Sequence, residues 1–197
     1  MQQRPLFLRQ AFFPFRKIRA AIAIPSAILS ILCLSAALRL HNLTYHSLWY
    51  DEAVSVRWAR SSVARILDVG LKLVEDRLPP LYYLLLKGWG ALGGFSEFSL
   101  RFPSVVAGVL LVAVVYALGR RLFGRGAGLA AALLAALNPF LVWYSQEARM
   151  YALSALLGAL GVLCFVRAME RPRRWGYWFG LGACALAGLY THLYSGF

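Results

Sequence analysis

Acidic residues are scarce in this chain: Asp and Glu together number 8 among 197 residues. Charge of either sign makes up 15% of it, against about 25% in a typical soluble domain. A soluble globular fold needs more polar residues than this to cover its surface, so that class is excluded. Disorder is excluded too, because 60% of the residues are apolar and unfolded chains are poor in such residues. Cysteine is also rare. Cys33, Cys164 and Cys184 each sit inside an apolar run. They read as small packing residues, not as a disulfide framework or a metal site.

What the chain does have is long apolar runs and arginine. A membrane-spanning helix needs about 20 apolar residues. Charge-free stretches of that kind run over Ala20–Leu38, Phe102–Gly119, Gly126–Gln146 and Met150–Val166, and a fifth begins at Trp175. This predicts an all-α, polytopic membrane protein with about five transmembrane helices, at 20–38, 102–119, 126–146, 150–166 and 175–193. The first run follows Arg16, Lys17 and Arg19, as a signal peptide's core would. Its length exceeds the roughly 7–15 residues of such a core, so it reads as an uncleaved helix.

Leu78–Leu92 is shorter, contains Lys87 and opens on Pro79-Pro80. Charge placement decides whether it crosses. If it lies flat, the segments on the amino-terminal side of the membrane hold 12 basic residues and one acid, Glu170. The opposite side then holds nine basic residues and seven acids. A crossing at 78–92 would largely erase this bias, so the segment reads as an interfacial helix. The net charge of +13 is therefore mostly topology, and no nucleic-acid partner is expected. Residues 1–19 form a cytoplasmic tail, and residues 39–101 an external loop carrying amphipathic surface helices. One such helix is expected over 52–67, with a break at Asp68-Val69-Gly70. The bias towards Ala, Leu, Gly and Arg suits a bacterial inner-membrane protein.

The scarce polar groups gather on the external side. Asp51, Glu52, Asp68, Glu75, Asp76, Glu97 and Glu147 map there, with His41, His46 and His192. Three motifs stand out. In His46-Ser47-Leu48-Trp49-Tyr50-Asp51-Glu52-Ala53, Asp51 reads either as a helix N-cap or as a general base, with Glu52 complementing the dipole or joining a metal-binding pair. Adjacent helical residues point about 100° apart, so the two carboxylates should have different roles. The second motif is Leu141-Val142-Trp143-Tyr144-Ser145-Gln146-Glu147-Ala148-Arg149-Met150-Tyr151, whose short turn is far richer in polar groups than a turn requires. There Glu147 and Arg149 either pair locally, or Glu147 meets the Asp51 region while Arg149 offers a bidentate anion contact. The third is Tyr190-Thr191-His192, where His192 is either an interface residue or a site residue.

Together these motifs resemble the GT-C superfamily of membrane glycosyltransferases, in the RgtA/B/C/D-like branch related to dolichyl-phosphate-mannose protein mannosyltransferases. Trp49-Tyr50-Asp51-Glu52-Ala53 is similar to the family's acidic signature. Pro79-Pro80-Leu81-Tyr82-Tyr83 followed by Leu100-Arg101-Phe102-Pro103-Ser104 is similar to its membrane-surface helix and second-span entry, and the 144–151 octapeptide, the most specific element, to its second external loop. Leu78 stands where relatives often have His. Relatives are also more than twice as long, so the chain resembles the N-terminal part of such an enzyme.

The resemblance implies a glycosyltransferase, hexosyl or pentosyl, working on the external face. It would move a sugar from a polyprenyl-phosphate donor to a hydroxyl of a glycan, lipid or protein acceptor, with inversion. Asp51 would be the base and Glu52 a catalytic partner. Arg149 and Arg101, with Lys87, would contact donor phosphate. Glu147, Gln146, Tyr144, Tyr82 and His192 would bind donor or acceptor. A divalent cation, if used, would be held by Asp51, Glu52 and Glu147. Two alternatives stand beside this: an inactive truncated form of such an enzyme, and a small multispan transporter subunit. A transporter predicts polar residues midway along the spans. Here Ser26, Ser30, Ser35, Asn138 and Ser154 are the main ones.

Overall fold

A computed structural model describes residues 13–72 and 79–192 of the chain. The expectations for Arg4, Arg9, Glu75, Asp76 and Leu78, and for the end of the fifth span beyond His192, concern residues outside this set. Among the described residues every regular element is an α-helix, as the apolar runs predict. The elements are α1 (Phe13–Leu40), α2 (Tyr50–Arg60), α3 (Val63–Lys72), α4 (Leu81–Gly93), α5 (Glu97–Phe123), α6 (Arg125–Leu137), α7 (Pro139–Ser145), α8 (Tyr151–Glu170) and α9 (Trp175–Thr191). Helices α5 and α8 are long and apolar enough to cross a membrane, and α6 with α7 makes a third such stretch if the bent pair is one span. In α1, Ser26–Leu40 is an apolar stretch among the residues whose side chains are described, and α9 has 17 residues.

Helix α5 is the axis of the bundle. It packs against α1, α4, α6, α7 and α8. One side buries Ala107, Leu111 and Val114 against Ala152 and Leu156 of α8. Another buries Val112 against Ala132, Ala135 and Ala136 of α6. Small residues let α5 and α6 approach closely, since a Cβ on Gly119 would lie 3.0 Å from the Gly128 Cα. At the far end of α5, Arg121 pairs with Glu170 at the end of α8. Helices α2, α3 and α4 cover the opposite end, where Trp58, Ile66, Tyr83 and Leu86 share a core with Leu100, Ala148 and Met150.

Two prolines free backbone carbonyls inside this apolar bundle, and each freed group finds a side-chain donor. Pro103 lies inside α5. It has no N–H to give the Ser99 carbonyl. The Trp89 indole of α4 donates to that carbonyl at 2.8 Å, and the Trp89 ring stacks on Phe102 with centroids 5.7 Å apart. Pro139 begins α7, with Asn138 as its N-cap accepting from the Leu141 N–H at 3.1 Å. Here α6 and α7 diverge by 59°. The carbonyls of Ala135 and Ala136 accept from Arg39 at 3.4 and 3.3 Å. Arg39 is fully buried, and it also donates to Ser35 Oγ at 2.7 Å and Ser145 Oγ at 3.2 Å. Gly108 of α5 makes the space, because a Cβ there would strike Ser145 Oγ and Arg39 Nε.

Two expectations are corrected here. The stretch 126–146 is not one straight helix but α6 and α7, because Asn138-Pro139 supplies an N-cap and a first-turn proline. The helix expected over 52–67 is divided at Ser61-Ser62, and residues 68–70 continue α3 instead of breaking it. Ser62 Oγ accepts from the Arg65 N–H at 3.2 Å and so starts a new helix. Gly70 serves packing: a Cβ on it would come within 2.8 Å of Pro80. Removing the Arg39 donors strands two carbonyls in an apolar surround, where an unmet polar group costs about 1–3 kcal/mol. Arg39→Ala is therefore expected to lower the thermal unfolding temperature in detergent clearly, and Arg39→Lys to recover part of the loss. An unchanged midpoint in Arg39→Ala would contradict this role.

Candidate active site

The polar groups meet where α2, the start of α5 and the turn between α7 and α8 come together. Helix α2 starts at Tyr50 with Trp49 as its N-cap, so Asp51 is not the cap. It lies in the first turn, where negative charge suits the helix dipole. Glu52, next along, turns inward and is fully buried. Its carboxylate takes a forked pair of hydrogen bonds from Arg101, Nε to Oε1 at 2.8 Å and Nη2 to Oε2 at 2.7 Å. Glu52 Oε1 also accepts from the Ala148 N–H at 2.8 Å, and Oε2 from the Trp49 N–H at 3.4 Å. Arg101 turns its remaining N–H groups to the carbonyls of Leu43, His46 and Ser47, at 2.6, 2.9 and 3.4 Å. A guanidinium has five N–H donors, and all five are engaged. The pair thus binds the 43–49 loop, α2, α5 and the 146–150 turn into one unit, and leaves Arg101 no free donor for a phosphate.

Asp51 points elsewhere. Its side chain is 36% exposed and lies 3.8 Å from Arg149 Nη2, a loose contact compared with the Glu52–Arg101 fork. Arg149 itself is buried. It donates through Nη1 to the Asp51 carbonyl at 3.1 Å and to Ser55 Oγ at 3.4 Å, while its Nε has no hydrogen-bond partner. Its guanidinium lies 5.9 Å from the Tyr151 ring centre. Tyr151 in turn sits between Tyr144 and His192, with ring centroids 4.9 and 6.0 Å away. So Asp51, Arg149, Tyr144 and His192 converge; Arg149 Nε is enclosed, and Nη2, in loose contact with Asp51, is the donor that faces the cluster. Beside them Ser104 Oγ donates to the Arg149 carbonyl at 3.3 Å. Ser104 and Tyr82 form the polar end of an apolar groove of about 300 Å³ running between α4, α5 and α8 past Trp89 and Phe102. Burial pushes the Tyr82 hydroxyl far above its ordinary range, so it stays neutral.

Glu147 shares with Glu52 a cavity that Asp51 does not line. It is 8% exposed and lines a cavity of about 560 Å³ with Trp49, Trp143, Glu52 and Arg101. Burial raises its pKa; a hydrogen bond from Trp143 opposes this, and the negative charges of Glu52 and Asp51 reinforce it. Its Oε2 has no hydrogen-bond partner.

Other expected site residues have structural contacts. The Gln146 amide donates to the carbonyls of Leu38, Arg39 and His41, at 3.4, 3.2 and 2.8 Å, and so closes the end of α1. Lys87 donates to the Ser61 carbonyl at 2.9 Å. That is the far end of α2 from Asp51, roughly 15 Å along the helix, so Lys87 does not join the cluster. Among the described residues no three His, Cys, Asp or Glu side chains form a group able to hold a metal ion. The reason is local: the Glu52 oxygens are taken by Arg101 and backbone N–H groups, and Glu147 lines a cavity that Asp51 does not. The expected Asp51–Glu52–Glu147 cation site therefore does not fit this geometry. Sequence reasoning gave no role to Ser55, Ser104, Trp143 or the 43–47 carbonyls, although Ser104 and Trp143 lie within the stretches it singled out.

The fold and site describe a helical membrane protein whose buried polar groups, among the described residues, gather at one end of its bundle. The model of the dolichyl-phosphate-mannose-protein mannosyltransferase family matches residues 77–197, more than half of the chain, and the chain belongs to that family. Membership points to a membrane glycosyltransferase. The matched segment includes Arg101, Glu147, Arg149 and His192, whereas Asp51 and Glu52 precede it. Comparisons with curated proteins and with solved structures give no match.

A carboxylate whose folded-state pKa is raised makes the folded form less stable once pH exceeds the ordinary glutamate range. Glu147 is such a group. Glu147→Gln is accordingly expected to raise the unfolding temperature at about pH 8, with the gain fading as pH falls towards about 4. A pH-independent effect, or a loss of stability at neutral pH, would contradict the assignment.

Proposed function

We propose that this protein transfers a sugar from a polyprenyl-phosphate donor to an acceptor hydroxyl, with Asp51 as general base and Arg149 as the phosphate contact. The observation carrying this reading is the division of labour between neighbouring carboxylates: Glu52 is consumed by Arg101, while Asp51 is partly exposed and only loosely paired with Arg149 Nη2. In the step proposed, the acceptor oxygen forms a bond to the anomeric carbon and its proton passes to Asp51. The bond from that carbon to the phosphate oxygen breaks, and the lipid phosphate leaves with the electron pair. Arg149 would offset the charge developing on the phosphate. Attack from the face opposite the phosphate inverts the anomeric carbon. The groove that starts at Ser104 and Tyr82 offers apolar surface for the first prenyl units, next to the cation that would hold the headgroup.

The topology proposed has five crossings, with the amino terminus inside and the site at the external surface. Its support is charge placement: the α5–α6 and α8–α9 connections carry Arg120, Arg121, Arg125, Arg171, Arg173 and Arg174, at the opposite end of the bundle from Asp51. Asp51→Asn should cut transfer from a polyprenyl-phosphate sugar by about 10²–10⁴-fold. Its thermal stability should remain near wild type, because the side chain is partly exposed and loosely paired. A radiolabel transfer assay in purified membranes checks this, and undiminished transfer by Asp51→Asn would overturn the base assignment.

A further inference from the structure

Membrane orientation accounts for the sign of the charge at the end of the bundle away from Asp51, but not for its arrangement. The α5–α6 and α8–α9 turns carry Arg120, Arg125, Arg171, Arg173 and Arg174, all exposed. Arg121 and Glu170 pair across the ends of α5 and α8, so the two turns lie side by side and their charges add. Glu170 is the single acid at this end among the described residues, and Arg121 engages both of its oxygens. The five exposed guanidiniums therefore have no carboxylate to pair with. Two of them also stand where a helix dipole opposes them. Arg125 opens α6 and Arg174 is the N-cap of α9, and neither helix has a capping side chain or an acid in its first turn. The 171–174 turn is held in place, because the Trp178 indole donates to the Pro172 carbonyl at 3.2 Å. Large rings border the same surface. Phe123 ends α5, Trp175 begins α9 and Phe179 follows one turn on, and they are 78%, 81% and 81% exposed.

We infer that this surface binds an anionic phospholipid of the adjoining leaflet, its phosphodiester accepting from arginines of both turns and its acyl chains lying along Phe123, Trp175 and Phe179. A lipid phosphate supplies the negative charge that the fold lacks here, and a guanidinium matches its paired oxygens. The rings decide between anions. Free phosphate would satisfy the arginines and leave all three rings uncovered. A nucleic acid could stack on Trp175, but Phe179 lies within a helix that carries no charged residue and faces hydrocarbon, not water. A zwitterionic lipid would cover the rings and bring its own cation to a surface already rich in positive charge. The bound lipid would offset the mutual repulsion of the arginines and so stabilise the two turns. This rests on the chain being a membrane protein and is independent of the transfer step.

Native mass spectrometry of the full chain, released from nonionic detergent micelles, would count lipids bound from added phosphatidylglycerol or phosphatidylcholine. Thermal unfolding in the same micelles would be followed with each lipid, with inorganic phosphate and with a short single-stranded oligonucleotide. Phosphatidylglycerol is expected to bind in preference and to raise the unfolding midpoint. Arg173→Gln with Arg174→Gln should weaken its binding about 10–30-fold, near fivefold for each cation removed at a membrane surface. Arg125→Gln, on the other turn, should weaken it about fivefold. Arg60→Gln with Lys72→Gln removes the same charge at the opposite end of the bundle and should bind as wild type does. Equal binding of phosphatidylcholine, or an equal loss in the Arg60 and Lys72 variant, would overturn the site. So would wild-type binding by both turn variants, or a midpoint raised as much by phosphate or the oligonucleotide as by phosphatidylglycerol.

Discussion

The fork between Arg101 and Glu52 holds four separate pieces of this protein in register. A guanidinium and a carboxylate, both buried, must be satisfied completely, because removing one partner leaves an uncompensated charge in an apolar surround. Here they are satisfied by contacts that reach across the chain: carbonyls at 43, 46 and 47, and the N–H of Ala148. Such a pair is not by itself evidence of high stability. It specifies geometry, and the geometry it specifies turns Glu52 inward. The neighbouring carboxylate, about 100° around the helix, is thereby directed outward beside Arg149. In this way a structural constraint decides which of two adjacent acids is left for chemistry.

The same economy governs the rest of the bundle. Polar side chains are few, and most of the buried ones answer a particular backbone need. Trp89 meets the carbonyl that Pro103 frees, Arg39 meets those at the α6–α7 bend, and Gln146 closes α1. Each links elements distant in sequence, as a membrane-embedded chain requires when water is not there to satisfy the backbone. Tyr82 Oη, Glu147 Oε2 and Arg149 Nε depart from this pattern and are buried without a hydrogen-bond partner.

The helical class was legible because apolar runs of span length have few other readings. So was the likelihood that Asp51 and Glu52 would differ, since helical geometry alone separates them. The crowding of the 144–151 turn also pointed to the cluster now seen around Arg149. Which carboxylate is buried was not legible, because that depends on Arg101, 49 residues away from Glu52. Lys87 resembled a phosphate contact until the end of α2 was seen to occupy it. The division at Ser61-Ser62 was hidden by a continuous helical pattern on both sides. Arg39 opens the expected external loop, and nothing in its sequence neighbours announces that Pro139 requires it.

The central claim is that Glu52 and Arg101 act as one structural unit. A double-mutant cycle in reversible unfolding tests it most directly, using Glu52→Gln, Arg101→Gln and the pair together. Each single change is expected to cost about 3–5 kcal/mol, because it strands the other partner. The double change should cost less than the sum by about 2 kcal/mol or more, within the range seen for directly coupled residues. Costs that add to within about 0.5 kcal/mol, as for independent sites, would contradict the account.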